Sequence, residues 1–153
     1  MLTVGDQAPE FDLPDADMSM TSSADLSGKP YVVYFYPKDD TPGCTMEGIE
    51  FTDIMGEFEQ LGAAVVGVSK DTCVSHAQFR DKYGLSVGLL ADVEGQLCDA
   101  YGVWQEKEKH GEKKMGIVRS TFVVDADGVI RHALYDVKPK GHAEQVLELV
   151  RAL

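Results

Sequence analysis

Residues 31–62 read YVVYFYPKDDTPGCTMEGIEFTDIMGEFEQLG, and this stretch decides the fold. Tyr31 to Tyr36 is an unbroken aromatic and β-branched run. Its lack of polar alternation predicts a strand buried on both faces. Pro37 fixes its own φ and removes a donor, so it suits the end of that strand. From Thr45 to Leu61 the period changes: Phe51, Ile54, Met55, Phe58 and Leu61 fall on one helical stripe. Gly62 suits the helix stop. Between strand and helix lies a short loop of proline, glycine and polar residues, and Cys44 stands at the start of the helix.

Working outward, Ala64 to Ser69 (AVVGVS) reads as a second buried strand, and Val74 to Tyr83 as a helix closed by Gly84. Leu85 to Leu90 is a weaker strand, and Glu94 to Tyr101 a short helix. Ser120 to Val124 and Val129 to Tyr135 flank Asp125-Ala126-Asp127-Gly128, a hairpin signal because glycine accepts the positive φ of the turn. Ala143 to Leu153 reads as a closing amphipathic helix with Val146, Leu147, Val150 and Leu153 on its apolar side. Gln105 to Lys114 (QEKEKHGEKK) is charged without periodicity and reads as a solvated loop. Helices crossing between the early strands make those strands parallel, and the hairpin adds an antiparallel pair. The expectation is one α/β domain over residues 1–153: a thioredoxin-like three-layer sandwich, a central mixed sheet flanked by helices.

The formal net charge of −12 repels phosphate backbones and anionic lipid, which argues against nucleic-acid and membrane-surface roles. Hydrophobic residues at 44% and charged residues at 26% are ordinary for a globular chain. No apolar run is long enough to span a bilayer, and no secretory signal is visible. The three cysteines, Cys44, Cys73 and Cys98, are too few and odd in number for a disulfide scaffold. A reducing cytoplasm is therefore the expected setting.

A cysteine at a helix start meets unpaired backbone N–H groups and the positive end of the helix dipole. Both favour the thiolate, which is the nucleophilic form. Thr41, three residues before Cys44, can bring its hydroxyl near the sulfur across the Pro42-Gly43 turn. Pro37 can offer an apolar ring to shelter it. Each residue also has a plainer reading: an inert cysteine, a helix cap, a strand terminator. His76, His110, His132 and His142 are scattered, without the spacing of a metal site, and no phosphate-cradling glycine loop appears.

Pro37, Thr41 and Cys44 together spell P-x-x-x-T-x-x-C, and YFYPKDDTPGCTMEG resembles the active-site segment of peroxiredoxins, specifically the peroxiredoxin Q (bacterioferritin-comigratory protein) group. The resemblance extends through GDQAPEFDLPD, GVSKD, LLAD, YGVW and RSTFVVDADGVIRH. It implies a thiol-dependent peroxidase acting on hydrogen peroxide and organic hydroperoxides without metal, flavin or nicotinamide. Cys44 is then the attacking thiol, Thr41 its hydroxyl partner, Pro37 its shield and Arg119 the cation for the breaking O–O bond. The group's resolving cysteine is absent from both of its usual places, here Ile49 and Arg80. Cys73 is the internal candidate, and recycling by thioredoxin or another external thiol is the favoured cycle. A monomer or weak homodimer is expected. Two rival readings are a thiol–disulfide oxidoreductase, disfavoured because Thr41 replaces the first cysteine of C-x-x-C, and a peroxide sensor or holdase. Glu47, one turn into the helix, can hydrogen-bond near the site or simply favour the helix N-terminus, the preferred reading, and Cys98 reads as a core thiol.

Overall fold

The apolar run at Tyr31–Phe35 is buried at every position, and its two faces feed two separate cores. Val32, Tyr34 and Tyr36 point into one, while Tyr31, Val33 and Phe35 point into the other. This is the period-two alternation of a strand with apolar residues on both sides. The computed structural model describes all 153 residues. In chain order its elements are β1 (Asp12–Pro14), β2 (Met20–Ser22), α1 (Ser23–Leu26), β3 (Tyr31–Phe35), α2 (Pro42–Asp53), α3 (Met55–Gln60), β4 (Ala64–Ser69), α4 (Cys73–Tyr83) and β5 (Gly88–Ala91). There follow α5 (Gln96–Ala100), β6 (Trp104–Lys109), β7 (Glu112–Ile117), β8 (Ser120–Val124), β9 (Ile130–Leu134) and α6 (His142–Arg151).

The central sheet has the order β5-β4-β3-β8-β9. β3, β4 and β5 are parallel, and β8 and β9 are antiparallel additions. One face is covered by Phe51 of α2, Phe58 of α3, Phe79 of α4 and the Val146, Leu147 and Val150 stripe of α6. The other is covered by Leu97 and Cys98 of α5, with Tyr101, Val103 and Ile117. The result is the expected three-layer α/β sandwich with a mixed central sheet. No helix is long and apolar enough to cross a membrane.

Several local expectations need correction. Residues 105–114 are not a loop but most of an antiparallel hairpin, β6–β7. Its turn is His110-Gly111, both at positive φ (54° and 79°), the backbone a two-residue turn of this hand requires. Glu108 faces Lys113 and Lys109 faces Glu112 across the strands, so opposite charges support the pairing. The segment shows no apolar period because most of it faces solvent on both sides. The helix read as continuous over 45–61 starts earlier, at Pro42, and breaks at Ile54 (φ −118°, ψ 15°). Gly56, a poor helix former, lies just beyond the break. β1, β2 and α1 were not anticipated. α1 is held by a reciprocal cap, in which Ser22 Oγ accepts from the Asp25 amide and Asp25 accepts from the Ser22 amide.

Gly67 sits opposite Tyr34 in the β3–β4 register. A Cβ there would lie 2.6 Å from Tyr34 Cζ. The Tyr34 ring, stacked on Phe51 at 4.7 Å, fills the space the missing side chain leaves. Gly67→Ala should therefore overpack the core and lower the unfolding free energy by about 2–3 kcal/mol. Urea denaturation checks this, and an unchanged midpoint would mean that the Tyr34 ring yields freely.

Candidate active site

The site forms where three chain segments meet at one edge of the sheet. β3 runs into the 37–41 loop and then α2. Pro42 is the first residue of α2, where its missing N–H costs nothing, and Cys44 is the third. Thr41 caps the helix in extended conformation, with the Thr45 amide donating to its carbonyl at 2.8 Å. From the other side, β8 pairs antiparallel with β3, Phe35 opposite Ser120. Arg119 precedes Ser120, so the register delivers it to the end of β3 near the start of the 37–41 loop. Its carbonyl accepts from the Val137 amide at 2.9 Å.

There the guanidinium divides its donors. Nη2 donates to Cys44 Sγ at 3.4 Å, and Nη1 to Glu47 Oε1 at 2.7 Å. Cys44 is 2% exposed, and the Glu47 side chain is fully buried. A Cβ on Gly43 would stand 3.0 Å from Arg119 Nη2 and 3.4 Å from Pro139 Cγ, so glycine at this position lets the cation approach. Burial in a desolvated pocket strengthens each of these electrostatic contacts.

Glu47 does more than favour the helix start, the preferred reading of the sequence: it is the buried partner of Arg119 and hydrogen-bonds within the site. The available signal was its i+3 spacing from Cys44, which puts both on one helix face. Burial pushes its carboxyl up to about 7, against the pull of the Arg119 charge. Its second oxygen, Oε2, is buried without a partner. Arg119 itself is held more firmly protonated: burial opposes its charge, but the neighbouring Glu47 and Cys44 outweigh it.

The other expected residues fall as follows. Thr41 is on the loop, but its hydroxyl proton goes to the Lys38 carbonyl at 2.8 Å. Pro37 lies two residues beyond the end of β3 and is exposed, so it does not shelter the sulfur; the burial of Cys44 comes from the cluster that includes Tyr34, Tyr36 and Phe51. Cys73 is a free, half-buried thiol at the first position of α4. Because β3 and β4 are parallel neighbours, α2 and α4 start from the same sheet edge. Cys98 is wholly buried, and its desolvated thiol is pushed far up, with the Asp92 carboxylate adding to the shift; this is an inert core thiol. Asp39, Asp71 and His76 bring ligand-type atoms within 4.8 Å of one another, a grouping that the scatter of histidines in the sequence did not suggest.

A helix-start thiol under a charged guanidinium, on a sandwich of this topology, defines a thiol-based peroxidase site. Comparison with known proteins agrees. The AhpC/TSA family model matches residues 4–133. Peroxiredoxin Bcp of Escherichia coli is 40% identical over 150 residues, 98% of this chain and 96% of its own. The structure of Xylella fastidiosa PrxQ, in a cysteine-to-serine mutant form, superposes with a TM-score of 0.94 at 36% identity, covering 99% of this chain and 97% of that one. Bacterioferritin comigratory protein from Xanthomonas campestris superposes with a TM-score of 0.88 at 39% identity, covering 93% and 90%. The chain belongs to the AhpC/TSA family, as a peroxiredoxin of the Bcp/PrxQ group, and is a thiol-dependent peroxidase.

Two outcomes follow from the geometry. Gly43→Ala should displace Arg119 from the sulfur and lower the second-order rate constant with peroxide by roughly tenfold or more, read by stopped-flow oxidation of the thiol. The raised Glu47 carboxyl means the folded chain holds that proton more tightly than the unfolded chain, whose carboxyl titrates near 4.5. Stability contributed by the protonated form is thus lost as pH rises from the unfolded value through about 7. Glu47→Gln, fixed in the neutral form, should gain on wild type by on the order of 1–3 kcal/mol between about pH 5 and about pH 8. Urea unfolding at the two pH values measures the difference, and a constant offset would place the Glu47 proton elsewhere.

Proposed function

We propose that Cys44 is the peroxidatic thiol, reducing hydrogen peroxide and organic hydroperoxides, with Thr41 and Arg119 as its working partners and Pro37 fixing the backbone at the start of the loop. The observation that carries this reading is the Arg119 Nη2 to Cys44 Sγ contact of 3.4 Å at a buried helix start. The Cys44 thiolate attacks one peroxide oxygen in line with the O–O bond. An S–O bond forms, the O–O bond breaks, and its electron pair leaves on the second oxygen, which takes a proton and departs as water or alcohol. Cysteine is oxidised to the sulfenic acid and the peroxide is reduced. Negative charge moves outward along the S–O–O axis during this step. A fixed cation beside that axis stabilises the transition state more than the ground state. Thr41 Oγ1 accepts from the peroxide O–H and orients it. Organic substrates are supported by the Xanthomonas campestris relative, which is described with alkyl peroxide reduction activity.

The sulfenic acid is then attacked by an external thiol such as thioredoxin, releasing water and leaving a mixed disulfide that a second thiol resolves. Cys73 is the internal alternative: an attack from the start of α4 requires the Cys44 loop or its own loop to move, since a disulfide needs Cα atoms within roughly 7 Å. In this reading residues 1–153 act as one domain, in the cytoplasm, as a monomer or weak homodimer.

Peroxide-dependent turnover with thioredoxin, its reductase and reduced nicotinamide cofactor tests the proposal. Cys44→Ser should abolish turnover and Arg119→Ala should lower kcat/KM by about 10²–10³-fold. Cys73→Ser should leave turnover intact if the reductant is external, whereas a single oxidation without turnover would make Cys73 the resolving thiol. Full activity in Cys44→Ser would overturn the assignment.

A further inference from the structure

Behind the catalytic loop lies a buried polar network that the peroxidase chemistry does not use. Asp39, in the middle of the loop, is 7% exposed, and His76 on α4 is fully buried. Asp39 Oδ1 accepts from the Tyr36 hydroxyl at 2.6 Å, and Oδ2 accepts from the Ser75 hydroxyl at 2.7 Å. The same Oδ2 lies 2.7 Å from His76 Nδ1, while His76 Nε2 lies 2.9 Å from the Leu90 carbonyl. The Asp39 amide donates to Asp71 Oδ2 at 2.9 Å, and Ser69 Oγ donates to the same oxygen at 2.6 Å. These contacts satisfy the groups among themselves, so the grouping is read as a structural network and not as a metal site.

Counting donors fixes the protons. The Leu90 carbonyl can only accept, so His76 Nε2 carries hydrogen. A proton must also lie between Nδ1 and Asp39 Oδ2, because two bare acceptors do not approach to 2.7 Å. The pair therefore holds one shared proton, as imidazolium and carboxylate or as the two neutral forms. Buried in this way, such a contact is strong when whole and costly when one partner is removed.

The next residue repeats the attachment. Asp40 accepts from Lys82 Nζ at 2.8 Å and from the Tyr83 hydroxyl at 2.6 Å, in the last turn of α4. It does so at φ +58°, a backbone state that a non-glycine residue holds only when its surroundings fix it. Two successive aspartates thus tie the loop carrying Pro37 and Thr41, just before Cys44, to both ends of α4.

We infer that the Asp39–His76 pair is a positioning latch for the Cys44 loop: closed, it holds the thiol in its attack geometry, and open, it exposes the sulfur to the thiol that must reduce it. The inference rests on reading Cys44 as the attacking thiol. The two steps make opposite demands. Attack on peroxide uses a 2% exposed sulfur under Arg119, whereas reduction of the sulfenic acid by a bulky thiol needs that sulfur accessible. Loosening the latch should slow the first and speed the second, and the contrast between two substitutions at His76 separates this from general destabilisation, which would affect both alike.

Two substitutions at one position separate the contacts. His76→Asn keeps a donor near the Nδ1 position and loses the Leu90 contact; His76→Gln reaches toward Leu90 and loses Asp39. Two rates are read on Cys44: stopped-flow oxidation by hydrogen peroxide, and labelling by a bulky maleimide followed at the Cys44 peptide by mass spectrometry. In His76→Gln, oxidation should fall by about tenfold or more and labelling should rise by about tenfold or more. His76→Asn should return both rates to within roughly threefold of wild type, the spread expected of a retained hydrogen bond. Unchanged rates in His76→Gln, a fall in oxidation without a rise in labelling, or equal defects in both variants would overturn the latch. Should His76→Gln fail to fold, Asp39→Ala removes the same contact from the loop side and is read by the same outcomes. If peroxide does not oxidise Cys44 in the wild type, the peroxidase assignment fails, while the labelling rates still decide the latch.

Discussion

The arrangement turns on one buried cation. Arg119 cannot lose its proton, so wherever it is buried it must be answered by negative charge. Glu47 Oε1 meets it at 2.7 Å, and the Cys44 sulfur lies 3.4 Å from it. Glu47 in turn resists ionising, because burial alone favours its neutral form. The guanidinium is the partner that offsets this, and the unpartnered Oε2 shows that the offset is incomplete. The pocket therefore holds its cation between a buried carboxyl and the Cys44 sulfur, with the field of the guanidinium directed at both.

Sheet topology makes this possible at modest cost. Parallel β3 and β4 send α2 and α4 away from the same edge, so the loop with Cys44 and the start of α4 are neighbours. Antiparallel β8 arrives there from the opposite direction and supplies Arg119 from the residue just before it. Gly43 completes the fit by leaving out the side chain that would meet Nη2. The three thiols divide by environment: Cys44 faces a cation, Cys98 is sealed in apolar core beside Asp92, and Cys73 stands half-buried at a helix start. Only the first combines a charged partner with a functional loop.

The loop itself is short of internal support. Thr41 bonds to Lys38 and Asp39 to Tyr36 locally, but the other partners of Asp39 and Asp40 lie at Asp71 and on α4. Its conformation thus depends on contacts 32 to 43 residues away in sequence. Support from a separate element makes the loop's geometry depend on how α4 is held.

The sequence by itself determined the strand at 31–36, the helix behind Cys44, the parallel-then-antiparallel order and the Asp125–Gly128 hairpin, because burial period and turn residues act locally. The resemblance carried by P-x-x-x-T-x-x-C likewise brought Cys44, Thr41 and Arg119 into one hypothesis. Only the tertiary structure decided the rest. The β6–β7 hairpin depends on cross-strand charge pairs and a His110-Gly111 turn, not on an apolar stripe, so periodicity missed it. The helix break at Ile54 left the apolar stripe of 45–61 intact and so gave no sign in the pattern. Glu47 read as a helix-start acid, and only the arrival of Arg119, from 72 residues away, in the same pocket makes it a buried partner. Asp39 and His76 looked unrelated for the same reason. Long-range pairing of charged groups leaves no local period, because its energy depends on distance and desolvation, and both are set only when the sheet has closed.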